Sequence, residues 1–136
     1  MSRALIVAEV EQRAAGRCEY CRMHQSLQGA TFHIEHIVPR SKGGESTLEN
    51  LALACPGCNL HKASKTMAID PATGDSVPLF HAIRQTWSEH FQFHGYEIQG
   101  LTASGRATVA ALDLNHPRRQ LIRKVEESFK LFLAGC

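Results

Sequence analysis

Residues 18–65 read CEYCRMHQSLQGATFHIEHIVPRSKGGESTLENLALACPGCNLHKASK. Two C-x2-C pairs, Cys18/Cys21 and Cys55/Cys58, frame this stretch, with 33 residues between them. Two such pairs can close a tetrahedral four-cysteine shell around zinc. A shell with four protein ligands has no open position, so the ion it holds is structural. It supplies folding free energy that a short two-stranded core lacks. The competing reading, two disulfides, needs an oxidising compartment.

Between the pairs, Thr31–Val38 is rich in β-branched and aromatic residues and is predicted to be a strand. Pro39 ends it, and residues 39–45 (PRSKGGE) are predicted to form an irregular loop. Gly43-Gly44 there reads either as a turn or as a close approach to a phosphate backbone. Leu51–Ala54 reads as a second strand, and a short helix is expected from about Cys58 to Thr66. The predicted order is strand, loop, strand, knuckle, helix.

Upstream, Arg3–Ala15 reads as a helix with Leu5, Ile6 and Val10 inward and Gly16 as its stop. Downstream, Asp70–Gly74 is a turn and residues 92–102 a hairpin about His94-Gly95. A helix capped by Thr102 or Ser104 runs to Leu114. A last helix spans Arg118–Leu133, with Leu121, Ile122, Val125, Phe129 and Phe132 at helical spacing as its buried face. On that reading Arg118, Arg119, Arg123 and Lys124 are solvated. His24, His81, His90, His94 and His116 read as structural or solvated, and Trp87 and Phe91 as core.

The chain has 136 residues, 43% of them hydrophobic and 21% charged, which is the balance of an ordinary folded domain rather than a disordered chain. A net charge of +2 permits a nucleic-acid partner without demanding one. No apolar run approaches a membrane span. Glu9 and Glu11 come too early for a signal peptide, so a cytoplasmic, reducing location is expected. There, paired cysteines serve as metal ligands, and Cys136 is left over as a free thiol.

The blocks HIEHIVPRSKGG, LENLALAC and CNLHK together resemble the His-Asn-His (HNH) endonuclease family, over roughly residues 17–66. The resemblance implies an α+β protein. Residues 1–66 would be a zinc-stapled ββα-metal core with an N-terminal helix. Residues 67–136 would be a mostly helical extension packed on it. It implies an enzyme that hydrolyses phosphodiester bonds in DNA, with RNA not excluded. The matching positions are Glu35-His36 on the first strand, Asn50 at the end of the loop, and Asn59 on the helix. The family usually places Asp where this chain has Glu35, and Asn59 stands where many members have His.

The chemistry agrees with those residue types. A neutral imidazole takes a proton from water near pH 7, which makes His36 the expected general base. Glu35 and Asn59 are the expected oxygen ligands of a divalent cation such as Mg2+. Asn50 is expected to pin the loop and so position His36. His61 lies about 200° round the helix from Asn59 and cannot share its site. On a regular strand Glu35 and His36 face opposite ways; convergence needs a bend, and otherwise His33 becomes the rival ligand. Arg40, Lys42, Lys62 and Lys65 surround this set and are expected to contact phosphates. The same framework also fits a zinc-dependent nucleic-acid-binding module without catalysis.

Overall fold

The computed structural model describes residues 2–133. Cys136 lies outside the described residues. The chain is α+β: helices combined with three separate two-stranded antiparallel sheets.

Helix α1 (Arg3–Ala14) is capped by the Ser2 hydroxyl and stopped by Ala15 and Gly16 in left-handed conformations. Val10 and Ala14 are its buried residues, whereas Leu5 is exposed, contrary to its expected inward place. Strand β1 (His33–His36) pairs with β2 (Leu51–Ala54) in register His33↔Ala54 to His36↔Leu51. β1 is shorter than the predicted 31–38. Beyond His36 the ladder passes to Asn50, whose carbonyl accepts from the Ile37 N–H. The other edge of β2 is covered by the first knuckle. There the Glu19 N–H donates to the Leu53 carbonyl and the Leu53 N–H to the Glu19 carboxylate. Arg13 of α1 holds that carboxylate with two hydrogen bonds and also donates to the Leu51 carbonyl.

Helix α2 (Pro56–Lys62) starts at the second knuckle, earlier than predicted. Cys55 is the N-cap and Pro56 the first helical residue, where its missing N–H is no loss. The helix also stops short of the predicted Thr66, at Ala63. A hairpin not anticipated from the sequence follows, β3 (Met67–Ile69) with β4 (Ser76–Pro78), around the predicted turn. The Asp70 carboxylate organises that turn. It accepts from the Ala72 N–H and the Thr73 hydroxyl, and from two nitrogens of Arg106. Those donors hold its pKa down, to about 2.

The short helix α3 (Trp87–His90) runs into the hairpin β5 (Phe91–His94) and β6 (Glu97–Gly100), turning at Gly95 as expected. Helix α4 (Ala103–Ala111) is capped by Thr102, one of the two predicted caps, and ends before Leu114. Helix α5 (Pro117–Ser128) is capped by the His116 side chain and ends before Leu133. One hydrophobic cluster takes residues from the whole length, from Val10 through the cysteines and β2 to Trp87, Phe91, Ile98 and Leu114. The Trp87 indole donates to the Tyr20 carbonyl inside the first knuckle, which ties the later segment to the earlier one.

The expected buried face of α5 is observed only in part: Ile122 packs against the core and Phe132 against Phe93 and Tyr96. Leu121, Val125 and Phe129 are exposed, and Arg119, Arg123 and Glu126 are buried. The reason lies in the cysteine cluster that this helix faces.

Candidate functional site

The Sγ atoms of Cys18, Cys21, Cys55 and Cys58 all lie within 4.8 Å of one another, and all four residues are buried. None is in a disulfide. Zinc–sulfur bonds of about 2.3 Å put tetrahedral sulfurs about 3.8 Å apart, and Cys21 and Cys55 stand at 3.8 Å. The cluster fits a zinc site. The first knuckle is a tight turn: the Arg22 N–H donates to the Cys18 carbonyl, and Arg22 takes a left-handed conformation. The Cys18 N–H closes the turn onto Met23. At the second knuckle, the Cys58 N–H donates to the Cys55 sulfur.

Four thiolates around a divalent cation carry two negative charges in excess, and burial makes that charge costly unless it is answered. Arg119 answers it. Its Nη1 donates to the Cys58 sulfur at 3.4 Å, and its Nη2 is buried without a hydrogen-bond partner among the described residues, so the guanidinium is held there by charge. Burial opposes the ionised form, but the sulfurs of Cys58, Cys21 and Cys55 outweigh it and raise the Arg119 pKa. Gly57 makes room: a Cβ there would lie 2.1 Å from Arg119 Nη2. Arg123, one turn on, donates to the Tyr96 and Leu114 carbonyls. Glu126 accepts from the His24 N–H just past the first knuckle. Replacing Arg119 by Leu is expected to destabilise the protein by about 3 kcal/mol, because a buried anion loses its counter-charge. The check is a urea melt, read as a lower midpoint at unchanged slope.

β1 stays regular through His36, so alternation sends His33 and Glu35 to one face and Ile34 and His36 to the other. On the first face, Glu35 is buried. Its Oε1 accepts from the Tyr20 hydroxyl at 2.5 Å, and its Oε2 lies 3.7 Å from Lys62 Nζ. Burial raises the Glu35 pKa, against the pull of Lys62 and Tyr20. Lys62 is itself buried and donates to the Ile37 carbonyl, bracing α2 against the end of β1. Asn59 lies one helical turn before Lys62 on the same side of α2. It makes no side-chain hydrogen bond among the described residues, so its carboxamide is available. His33 shares the face of Glu35 but is exposed. His61 donates from Nδ1–H to the Gly57 carbonyl and takes no part in this set.

On the other face, the half-buried His36 ring meets the Ser46 hydroxyl through Nε2 at 2.8 Å. The same hydroxyl accepts from Arg40. Burial lowers the His36 pKa, helped by the positive charges of Arg40 and Arg3. Asn50 sits under this pair. Its Oδ1 accepts from the Val38 N–H, and its Nδ2 donates to the Val38 and Glu45 carbonyls. One amide therefore grips the chain two residues after His36 and one residue before Ser46. Gly44 is squeezed against the same carbonyl: a Cβ would fall 1.7 Å from Val38 O. That close approach is to the protein's own backbone.

Of the four basic residues, Arg40 is beside His36, and Lys42 and Lys65 fold onto carbonyls near the end of α2, Ser64 and His61. Lys62 faces inward. Tyr20, Ser46 and Arg119 were not anticipated from the sequence. Tyr20 had one signal, its place inside the C-x2-C pair; Ser46 had none.

Residues 18–65 match the family model of the HNH endonucleases. This segment is an HNH domain. The match spans about a third of the chain and suggests a nuclease or nucleic-acid-binding role, since HNH domains act on nucleic acids. No curated protein and no solved structure matches the chain. Among the described residues no helix is long and apolar enough to cross a membrane.

Proposed function

We propose that this HNH protein is a metal-dependent endonuclease that hydrolyses phosphodiester bonds in DNA. Residues 1–66 form the catalytic core in this reading, and residues 67–136 an extension that completes its packing. The cysteine cluster holds structural zinc, and a reducing compartment such as the cytoplasm keeps its thiols available.

The observation that carries the reading is the state of His36. Its ring is half-buried at the end of β1 with its pKa lowered, so it is neutral at pH 7 and able to accept a proton. In the tautomer that carries its proton on Nε2 and donates it to Ser46, Nδ1 is left to accept from a water molecule. Asn50 positions that ring through the loop. Glu35, on the opposite face of β1 and already met by Tyr20 and Lys62, and Asn59, on α2, carry oxygen atoms of the hard kind that suits Mg2+, which takes few protein ligands and completes its shell with water and phosphate. Such a cation, when bound, would stabilise the charge that develops on the leaving oxygen. In an in-line displacement the attacking and leaving oxygens lie on opposite sides of phosphorus. Glu35 stands on the face of β1 away from His36, and Asn59 on α2, so the base and the cation ligands of this reading are held by different elements.

The test is nicking of supercoiled plasmid by the zinc-loaded protein, with Mg2+ or Mn2+ added or withheld. Nicking that requires the added cation is expected. DNA binding that weakens with salt but never yields a nick, under any divalent cation, would instead favour the non-catalytic binding module.

A further inference from the structure

A cavity lies beside the candidate active site, between the core and the extension. It measures about 360 Å3 and is bounded by Ile37 and Val38 at the exit of β1, by the end of α2, and by residues 78–85. Ile37, Val38, Pro78 and Leu79 make its surface mostly apolar, and Lys65, His81 and Arg84 stand at it; Lys62 also borders it, but its ammonium is turned to the Ile37 carbonyl and Glu35.

The turn at 81–85 is built in a way that presents donors. The His81 Nδ1 accepts from the N–H groups of Ile83 and Arg84, and the His81 N–H is tied to the Gln85 side chain. With Nδ1 consumed as an acceptor, the neutral ring carries its proton on Nε2 and offers it as a donor. Arg84 is mostly exposed and meets an acid only loosely, Glu49 at 4.0 Å with both side chains in water. A pair of that kind is weak and yields to a stronger anion. Lys65 spends one of its three donors on the His61 carbonyl and keeps the others.

The cavity is continuous with the catalytic loop. Val38 and Arg84 also line a larger neighbouring cavity, about 720 Å3, walled by Gly43 to Asn50. That wall includes Ser46, the partner of His36. Arg84 stands between the two cavities, with Glu45 and Glu49 on the loop side, and phosphates repeated along a chain are the ligand that cations on the groove side can hold.

We infer that the groove between the end of α2 and residues 78–85 seats a backbone phosphate of the nucleic acid that flanks the hydrolysed one, with Lys65, His81 and Arg84 as its donors. The inference rests on the reading of nucleic acid as substrate, but not on catalysis. It assigns the extension a share in holding the substrate.

The experiment measures binding of zinc-loaded protein to short labelled duplex and single-stranded DNA. Magnesium is omitted so that nothing is cut, and no chelator is used, so the cysteine cluster stays loaded. Affinity is followed between about 50 and 200 mM salt. Lys65→Ala, Arg84→Ala and the double variant are compared with the parent. Each lost phosphate contact is expected to flatten the slope of log K against log salt by about 0.9 on duplex or about 0.7 on single strands, whatever the base sequence. Both side chains are exposed, so unchanged melting curves are expected alongside. A double variant with the parent's affinity and slope would overturn the groove, as would a parent protein that binds neither DNA form. If the parent nicks plasmid while the double variant binds unchanged, the groove alone fails. If Arg84 and Lys65 set the slope yet no cation supports nicking, the nuclease reading alone fails.

Discussion

Removing the metal from the four-cysteine cluster is expected to unfold the protein. The core it staples is small: two four-residue strands and a seven-residue helix, below what an isolated hairpin needs to stand alone in water. Structural zinc in finger peptides contributes about 10–16 kcal/mol at neutral pH, as much as the whole stability of a typical domain, about 5–15 kcal/mol. The cluster also anchors what lies around it. Glu19 and Tyr20, between the first two cysteines, hold the edge of β2, the Trp87 indole and the Glu35 carboxylate. Loss of the ion frees the knuckles, and these contacts go with them. Trp87, the single tryptophan, reports the event: its buried indole should redden in fluorescence when a strong zinc chelator is added. Cys58→Ala should behave like the chelated protein. Metal-binding thiols must be deprotonated, so acid should unfold the loaded protein as chelator does. A fluorescence spectrum and melting curve indifferent to chelation, in protein that contains no metal, would end the zinc reading.

The legible parts of the chain were those fixed by local chemistry. Leu51–Ala54 is apolar at every position and is buried at every position, as a strand between two packed layers must be. The cysteine spacing announced the cluster, and Gly95 the hairpin. Asn50 could be assigned to the loop because an amide has both a donor and an acceptor for backbone. Helix α5 was harder because its sequence carries two stripes at helical spacing. Leu121, Val125 and Phe129 form one; Arg119, Arg123 and Glu126 form the other. Hydrophobicity alone favours burying the first. The choice falls the other way because the partner surface is a cluster of sulfurs whose charge attracts guanidinium, a term that no single helix reveals. The buried Lys62 has the same origin: only tertiary contact shows that its amine meets Glu35 and the Ile37 carbonyl. The β3–β4 hairpin escaped notice because its strands are three residues long with both end residues exposed, and the second ends in a proline.

His36→Ala should reduce plasmid nicking by about 10²- to 10⁴-fold, the range for loss of a positioned general base. The fold should survive, since His36 is half-buried and, among the described residues, its side chain hydrogen-bonds only Ser46. The pH dependence separates a base from a mere structural histidine. Burial and the charges of Arg40 and Arg3 place the His36 pKa below its ordinary value near 6.5, so the neutral, competent ring prevails by pH 7. The rate at limiting substrate should therefore climb with pH in the acid range and level off before neutrality. Arg40→Ala removes one of the two positive neighbours. It should let the His36 pKa rise and carry the bend in the profile to higher pH. Ser46→Ala frees the ring to rotate, and should lower the plateau while leaving the bend in place. A profile without that bend, or nicking at the parent's rate by His36→Ala, would assign the proton transfer to another group. Either result would leave Glu35, Asn59 and the cysteine cluster as a nucleic-acid-binding scaffold whose base lies elsewhere.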